Sequence, residues 1–340
     1  MNEVTVGYVN ETLSRYSDWF YATSITVYVI AMLMFLGSLA AARYAKIEDQ
    51  AEAKELVGAS VGGSSAGDRV PGKVADRTPR RSLGEKLAAM AYPVVWVGFA
   101  AQLASIVLRG LATERAPWGN MYEFISLTCL ACVGAGLVVL RKREARPLLS
   151  FVLVPVVLLM FIGGRYLYTQ AAPVVPALKS YWLAIHVSII SIASGVLLVA
   201  GVASILYLVR ANWPTVDGAD ERATGFGASI RRLTAHLPSA DALDRTAYKC
   251  TVIGFPLFGL GIICGAIWAE ASWGRFWGWD PKETVSFIAW VIYAAYLHAR
   301  ATAGWRNAAA WVNVAGFVAL IFNLFAINLV VSGLHSYAGL

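Results

Sequence analysis

Residues 181–209 read YWLAIHVSIISIASGVLLVAGVASILYLV, without a single Asp, Glu, Lys or Arg. About 20 apolar residues suffice to cross a bilayer, so this run predicts a transmembrane helix. Its one histidine, His186, lies near its beginning. The composition of the whole chain agrees, because 58% of the residues are hydrophobic and 14% are charged, whereas soluble domains carry about 25% charged residues.

Similar apolar stretches occur on both sides of this run. Together they predict an all-α polytopic integral membrane protein with about eight transmembrane helices. We interpret residues 1–86 as an N-terminal transmembrane helix, too long for a cleavable signal, followed by a flexible cytoplasmic loop over 42–86. Residues 87–340 then form the main membrane domain. The predicted spans are 19–41, 87–108, 121–140, 147–164, 181–209, 249–269, 284–299 and 308–332.

The distribution of Lys and Arg predicts the orientation of these spans. Of the 28 basic residues, 21 fall in segments that would share one side of the membrane. The positive-inside rule makes that side cytoplasmic and predicts an N-out, C-out topology. The net charge of +7 therefore reflects topology and gives no reason to expect nucleic-acid binding. The basic segments are 42–86, 141–146, 210–249 and 299–307.

The segment between the sixth and seventh predicted spans is unusually rich in tryptophan. Residues 268–283, which we call the aromatic segment, read WAEASWGRFWGWDPKE and lie on the predicted outer side. Indole is flat and amphipathic, so this segment is either an interfacial anchor or a platform for a flat apolar ligand. Asp280 and Glu283, with Pro281 between them, are also typical of the start of a helix.

Three of the four histidines lie in or beside predicted spans, where an ionisable group indicates function. His186 and His335 fall at the outer ends of their spans, on the side of the aromatic segment. Two imidazoles can bind a haem iron from opposite faces, so this arrangement favours a haem site over two interfacial histidines. His298 lies about 22 Å deeper along its helix. It indicates a second, inner site or simply a histidine at a helix C-terminus.

The sequence around these residues resembles one protein family. Trp273–Glu283 resembles the WWD signature of haem-handling proteins in cytochrome c maturation. The flanking motifs follow the order and spacing of the CcsA/ResC family. Its members resemble this chain and are the WWD-containing, haem-handling subunits of the system II cytochrome c synthetase. The resemblance covers roughly 87–340 and leaves out the N-terminal helix and its loop. The flanking motifs are Ala116–Glu123, Tyr181–Val187, Tyr296–His298 and Gly333–Ala338.

The resemblance implies a role in cytochrome c-type biogenesis. Such a protein binds haem b, relays it across the membrane and presents it for thioether attachment to an apocytochrome c that carries Cys-x-x-Cys-His. It works as a subunit of a synthetase with a CcsB/ResB-type membrane partner rather than as a stand-alone enzyme. A thioredoxin-like thiol reductant is a further expected partner. The expected location is the plasma membrane of a bacterium or a thylakoid-type membrane, as a multi-pass protein.

The resemblance also assigns residues. His186 and His335 become the axial ligands of an outer haem, and His298 belongs to an inner, transmembrane haem whose second ligand comes from the partner. Arg275 and Lys282 are candidate contacts for the haem propionates, with lipid headgroup contact as the alternative for each. The other outer cations are Arg109, Arg115, Arg165 and Lys179, and the expected surroundings of the outer haem are Trp273, Trp277, Trp279 and Asp280.

Other interpretations stay open at this point. A bis-histidine membrane cytochrome would transfer electrons, although such proteins usually carry two histidines on each of two helices. A system I haem-handling protein would share the WWD signature alone. A transporter of another apolar solute would use the tryptophans only as anchors. Cys129 and Cys132 lie inside an apolar span, where we interpret them as small packing residues rather than a redox pair.

Overall fold

The structure is a computed structural model that describes residues 9–61, 82–143, 145–173, 176–213, 227, 231, 234, 237–302 and 304–335. The described residues form eight long α-helices, one at each predicted span, and two short 3-10 turns at Arg146–Leu148 and Pro176–Lys179. This confirms the all-α, multi-pass class. The helices are α1 Glu11–Val61, α2 Leu83–Thr113, α3 Met121–Val139, α4 Leu149–Tyr166, α5 Tyr181–Asn212, α6 Ala240–Trp273, α7 Pro281–Ala301 and α8 Arg306–Leu329.

Seven of these helices are long and apolar enough to cross a membrane, and α7 is the exception among the eight. Its sequence mixes Lys282, Glu283, His298 and Arg300 with aromatic residues, which lowers its hydropathy. The predicted count of eight spans and the N-out, C-out orientation therefore stay predictions. We call the end of the bundle that carries the aromatic segment and His335 the outer end, following the charge pattern.

The N-terminal region differs from the prediction. Helix α1 continues to Val61, so residues 42–61 are helical rather than part of a flexible loop. This stretch is rich in Ala, Glu and Lys, which are strong helix formers even without a buried face. The second boundary also moves, because Ser82 and Glu85 form a capping box that starts α2 at Leu83. Residues 62–81 lie outside the described residues.

Helix α5 lies at the centre of the bundle. It packs along α6 over much of its length and also contacts α3 and α8. Two thirds of its most apolar 18-residue window is buried, more than in the other candidate spans. A helix that is apolar on all sides belongs in such a position, because it has no polar face for water. His186 enters the bundle interior on this helix.

Cys129 and Cys132 are both fully buried on α3 with free thiols. They belong to the main hydrophobic cluster, which is formed by α1 to α5 and supplemented by α6 and α8. The sequence-based interpretation of these two cysteines as packing residues agrees with their position.

Candidate functional site

The outer end of the bundle contains a large cavity lined by both outer histidines. His186 and His335 share it with Trp277 and Lys282 of the aromatic segment. It includes about 1440 Å³ of space, counting the open solvent at its mouth. The cavity walls are mostly apolar, as is usual for small-molecule sites.

Helices α5 and α6 approach each other closely beside His186. The imidazole Nδ1 lies 2.7 Å from the backbone carbonyl oxygen of Gly261. A Cβ atom at Gly265 would lie 2.7 Å from His186 Cε1, so only glycine leaves room for the ring. Gly261 and Gly265 form a Gly-x-x-x-Gly pattern, the usual sequence signal for close helix packing in membranes. This pattern is the feature of the sequence from which the contact could have been predicted.

His335 is held from the other side by Asp280. Its Nδ1 lies 2.8 Å from Asp280 Oδ2, and the Leu334 backbone N–H donates to Asp280 Oδ1 at 2.8 Å. Burial alone would raise the pKa of Asp280, but the hydrogen bonds from His335 and Leu334 lower it to about 2. The carboxylate is therefore ionised and accepts a hydrogen bond from the imidazole N–H.

The two imidazoles have the same chemical arrangement. In each ring Nδ1 lies within hydrogen-bonding distance of an acceptor oxygen, so the neutral imidazole carries its proton on Nδ1 and leaves the Nε2 lone pair available to a metal. An acceptor at Nδ1 is usual for histidines that bind a metal through Nε2. Within the described residues no three His, Cys, Asp or Glu side chains gather to hold a bare metal ion. Two imidazoles suit an iron whose remaining ligands come from a porphyrin.

Trp268 connects the two histidines. Its ring stacks on His186 at 6.0 Å between centroids and 10° between planes, and it meets His335 edge-on at 5.6 Å. Trp273 completes the cluster, with its ring 5.0 Å from His335. Trp268 is only 2% exposed. Trp268 belongs to the aromatic segment but is not among the site residues predicted from the sequence, because nothing in the sequence separates a buried indole from an exposed one.

The other aromatic residues take different places. Trp277 and Phe276 line the cavity, and Phe276 is exposed at its rim. Trp279 is 68% exposed and lies outside the cavity lining. It adopts a positive φ of 57°, unusual for a non-glycine residue. The predicted contact of Trp279 with a ligand therefore has less support than that of Trp277, and Trp273 also lies outside the cavity lining, behind His335.

Asp280 also starts α7, as the sequence predicts. Its side chain accepts a hydrogen bond from the Lys282 backbone N–H. The Glu283 carboxylate accepts one from the Asp280 backbone N–H at 3.1 Å, which completes a capping box. Pro281 occupies the first helical position. The cap and the contact with His335 use the same carboxylate, so the start of α7 and the position of the histidine are linked.

The predicted cations are used in different ways. Arg275 pairs with Glu283 at 3.5 Å and does not line the cavity, whereas Lys282 does. Arg109 and Arg115 both bind the buried Glu123 carboxylate at 3.0 Å.

That same carboxylate holds the loop before α3. Glu123 accepts from the Gly119 backbone N–H at 2.7 Å. The neighbouring Trp118 lines the cavity and donates its indole N–H to Ser188 Oγ at 2.9 Å. Glu123 and its two arginines thus help to position the loop that closes one side of the cavity.

His298 lies apart from this site, at the opposite end of α7, and is exposed. Its position agrees with the predicted separation from the outer pair. Phe287 and Val291 are also exposed. They share one face of the helix with His298, because spacings of four and seven residues are close to one and two helical turns. His236, which the sequence suggests is solvated, lies outside the described residues.

Comparison with known proteins places the chain in a family. The family described as "Cytochrome C assembly protein" matches residues 118–335. The cytochrome c biogenesis protein CcsA of Prochlorococcus marinus (strain MIT 9303) is 35% identical over 253 residues, which cover 69% of this chain and 79% of the relative. The protein of the same name from Gloeobacter violaceus is 33% identical over 279 residues, with 69% and 82% covered. This chain is therefore a multi-pass membrane protein that belongs to the CcsA family of cytochrome c biogenesis proteins.

Proposed function

We propose that this chain binds haem b between His186 and His335. It presents the haem on the extracytoplasmic side of its membrane for thioether attachment to an apocytochrome c. One observation carries the proposal: two imidazoles line one cavity, and each has its Nδ1 beside an acceptor oxygen and no hydrogen-bond partner at Nε2 among the described residues. Trp268 and Trp273 provide aromatic surface beside both rings. An anchor role for the tryptophans would explain neither histidine.

Thioether formation adds a cysteine S–H across a haem vinyl C=C bond, with no net oxidation or reduction. It requires mainly that the vinyl group and the thiol be held together, a task of positioning. A cavity open at the outer surface suits this task, because the Cys-x-x-Cys-His segment of an apocytochrome arrives from that side. We assign a CcsB/ResB-type membrane protein as the partner, and a thioredoxin-like reductant as the source of reduced cysteines.

The relay of haem from the inner side is the second part of the proposal. Aromatic rings continue from the cavity along α7, with Trp277 to Phe287 at 6.3 Å and Phe287 to Trp290 at 6.2 Å between centroids. His298 lies further along this helix, on the same face as Phe287. This arrangement supports an inner site at His298, completed by a histidine of the partner, from which haem reaches the outer cavity.

The test is the absorbance spectrum of the full-length chain purified with its partner. The wild type should carry haem with a six-coordinate, low-spin spectrum and should mature a reporter cytochrome c in cells. His186→Ala and His335→Ala should lose most of the haem, because one axial ligand is gone. His236→Ala is the matched control and should behave as wild type. Wild-type haem content and maturation in both outer variants would refute the ligand assignment.

His298→Ala separates relay from final binding. We expect less haem in the purified protein, while the haem that remains keeps the low-spin spectrum of the outer site. An unchanged haem content would refute the inner site. An electron-transfer cytochrome would give a different pattern. It would keep its haem during maturation assays, and deletion of the protein would leave maturation of the reporter cytochrome unaffected.

A further inference from the structure

The histidine cavity shares one wall with a second cavity at the outer end of the bundle. The second cavity opens between the loop before α3 and the loop before α5. Trp118, Leu178 and Leu183 line both cavities, so these side chains form the partition between them, which we call the Trp118 wall. The Trp118 indole donates to Ser188 Oγ on α5 at 2.9 Å. The position of Trp118 therefore decides whether the histidine cavity is closed on this side.

A buried carboxylate holds the loop that carries Trp118. Glu123 accepts a hydrogen bond from the Gly119 backbone N–H, and both Arg109 and Arg115 bind it at 3.0 Å. The side chains of Glu123 and Arg109 are 1% and 2% exposed, so salt screens their charges little. One anion and two cations leave an excess positive charge, and an uncompensated charge is costly inside a protein. The loop therefore needs a second anion nearby.

Asp18 of helix α1 supplies this second anion. Its Oδ1 lies 3.6 Å from Arg109 Nη1, and neither of these two atoms has a hydrogen-bond partner among the described residues. Tyr168 orients the carboxylate by donating its hydroxyl to Asp18 Oδ2 at 2.7 Å. Two guanidinium groups and two carboxylates then carry no net charge. Asp18, Arg109 and Glu123 form a continuous ionic chain from α1 to the loop that carries the wall.

Helix α1 has otherwise only a packing role at this end of the bundle. It packs along α2 and also contacts α4, and it lies outside residues 118–335, which match the family. We propose that Asp18 is a positioning residue of the outer site. Through Arg109 and Glu123 it holds the Trp118 wall closed. Retention of haem in the cavity then depends on α1, and this consequence rests on the proposed haem binding.

The first test measures the wall without haem, on the full-length chain. Nitroxide labels are attached to cysteines introduced by Ala116→Cys on the loop and Ile185→Cys on α5, both at exposed positions. The four native cysteines are buried, so labelling is selective. Double electron–electron resonance should give one narrow distance distribution when Asp18 is present. Asp18→Asn removes the charge but keeps the size, so the distribution should broaden or shift, whereas Asp18→Glu keeps the charge and should restore it.

The second test measures haem release from the chain purified with its partner, by transfer to an excess of a soluble haem-binding protein. Asp18→Asn should release haem on the order of tenfold faster, an effect between that of an exposed ion pair and that of a buried one. Asp241→Asn is the matched control. It breaks an exposed ion pair with Arg306 at the inner end of the bundle and should behave as the wild type in both tests.

The two tests separate the possible failures. An unchanged distance distribution in Asp18→Asn would overturn the positioning role. A changed distribution with wild-type haem release would overturn the claim that the Trp118 wall retains haem. Absence of haem from the wild-type complex would overturn the proposed function instead, and the distance measurement would still decide whether Asp18 positions the wall.

Discussion

The Asp280→Asn variant tests whether a single carboxylate sets the position of the outer ligand. In the structure Asp280 Oδ2 accepts from the Lys282 backbone N–H at 3.2 Å and from His335 Nδ1 at 2.8 Å, while Oδ1 accepts from the Leu334 N–H at 2.8 Å. Asparagine has the same size and caps helices about as well as aspartate. However, it has only one acceptor oxygen, so its NH₂ group must face either Leu334 or His335.

The expected loss follows from the bond that breaks. A hydrogen bond to a charged group contributes about 1.5–3 kcal/mol. Loss of the residue that hydrogen-bonds a metal-binding histidine lowers metal affinity by about 10–100-fold. We therefore expect the haem affinity of Asp280→Asn to fall within that range. The reduction potential should rise, because His335 without the anion donates less electron density to the ferric iron.

The assays are a haem titration and a spectroelectrochemical titration of the purified complex, with circular dichroism to check the fold. Glu283→Gln is the matched control. It disturbs the same capping box through Gly278 and the Asp280 backbone but has no bond to His335. Equal affinity and potential in Asp280→Asn and the wild type, or an equal change in Glu283→Gln, would refute the link between the cap and the ligand.

Two further changes test residues that hold the site in place. Gly265→Ala would place a methyl group 2.7 Å from the His186 ring, so the haem content should fall while the helicity stays unchanged. Gly37→Ala is the control for an added methyl group, because its nearest contact would be at 3.7 Å. A normal haem content in Gly265→Ala would contradict the close-packing argument. Glu123→Gln removes the carboxylate shared by the buried Arg109 and the part-buried Arg115 and should lower the free energy of unfolding by about 3–5 kcal/mol, measured by thermal unfolding in detergent. Glu270→Gln, at an exposed position, should unfold as the wild type does, and an unchanged midpoint for Glu123→Gln would show that the arginines find other partners.

The class of protein and the end of the bundle that carries the site could be predicted from the sequence because both depend on local patterns. Long apolar runs locate the helices, and the start of α7 follows from Asp280, Pro281 and Glu283, which are neighbours in sequence. The pairing of His186 with His335 was predicted from their common position at outer span ends, since helices of similar length bring those ends to one surface.

The contacts that define the site could not be predicted in this way. The bond between Asp280 and His335 joins residues 55 positions apart, and the bond between His186 and Gly261 joins residues 75 apart. Both depend on how helices rotate against each other, which apolar periodicity does not fix when a helix is apolar on all sides. The continuation of α1 to Val61 differs from the prediction for a local reason. Charged residues after Ala41 suggest a loop, but this stretch is also rich in Ala, Glu and Lys, which favour a helix.

The position of His335 depends on the start of α7 more than on the end of α8. Helix α8 ends at Leu329, and the chain then returns to Asp280 through Gly333. A Cβ atom at Gly333 would lie 2.8 Å from Asp280 Oδ1, so the backbone there approaches the carboxylate too closely for a side chain. The carboxylate then binds the Leu334 N–H and the His335 ring together. The position of His335 is thus set only when the aromatic segment and the chain after α8 meet at one aspartate, which couples this position to correct packing of α7 against α8.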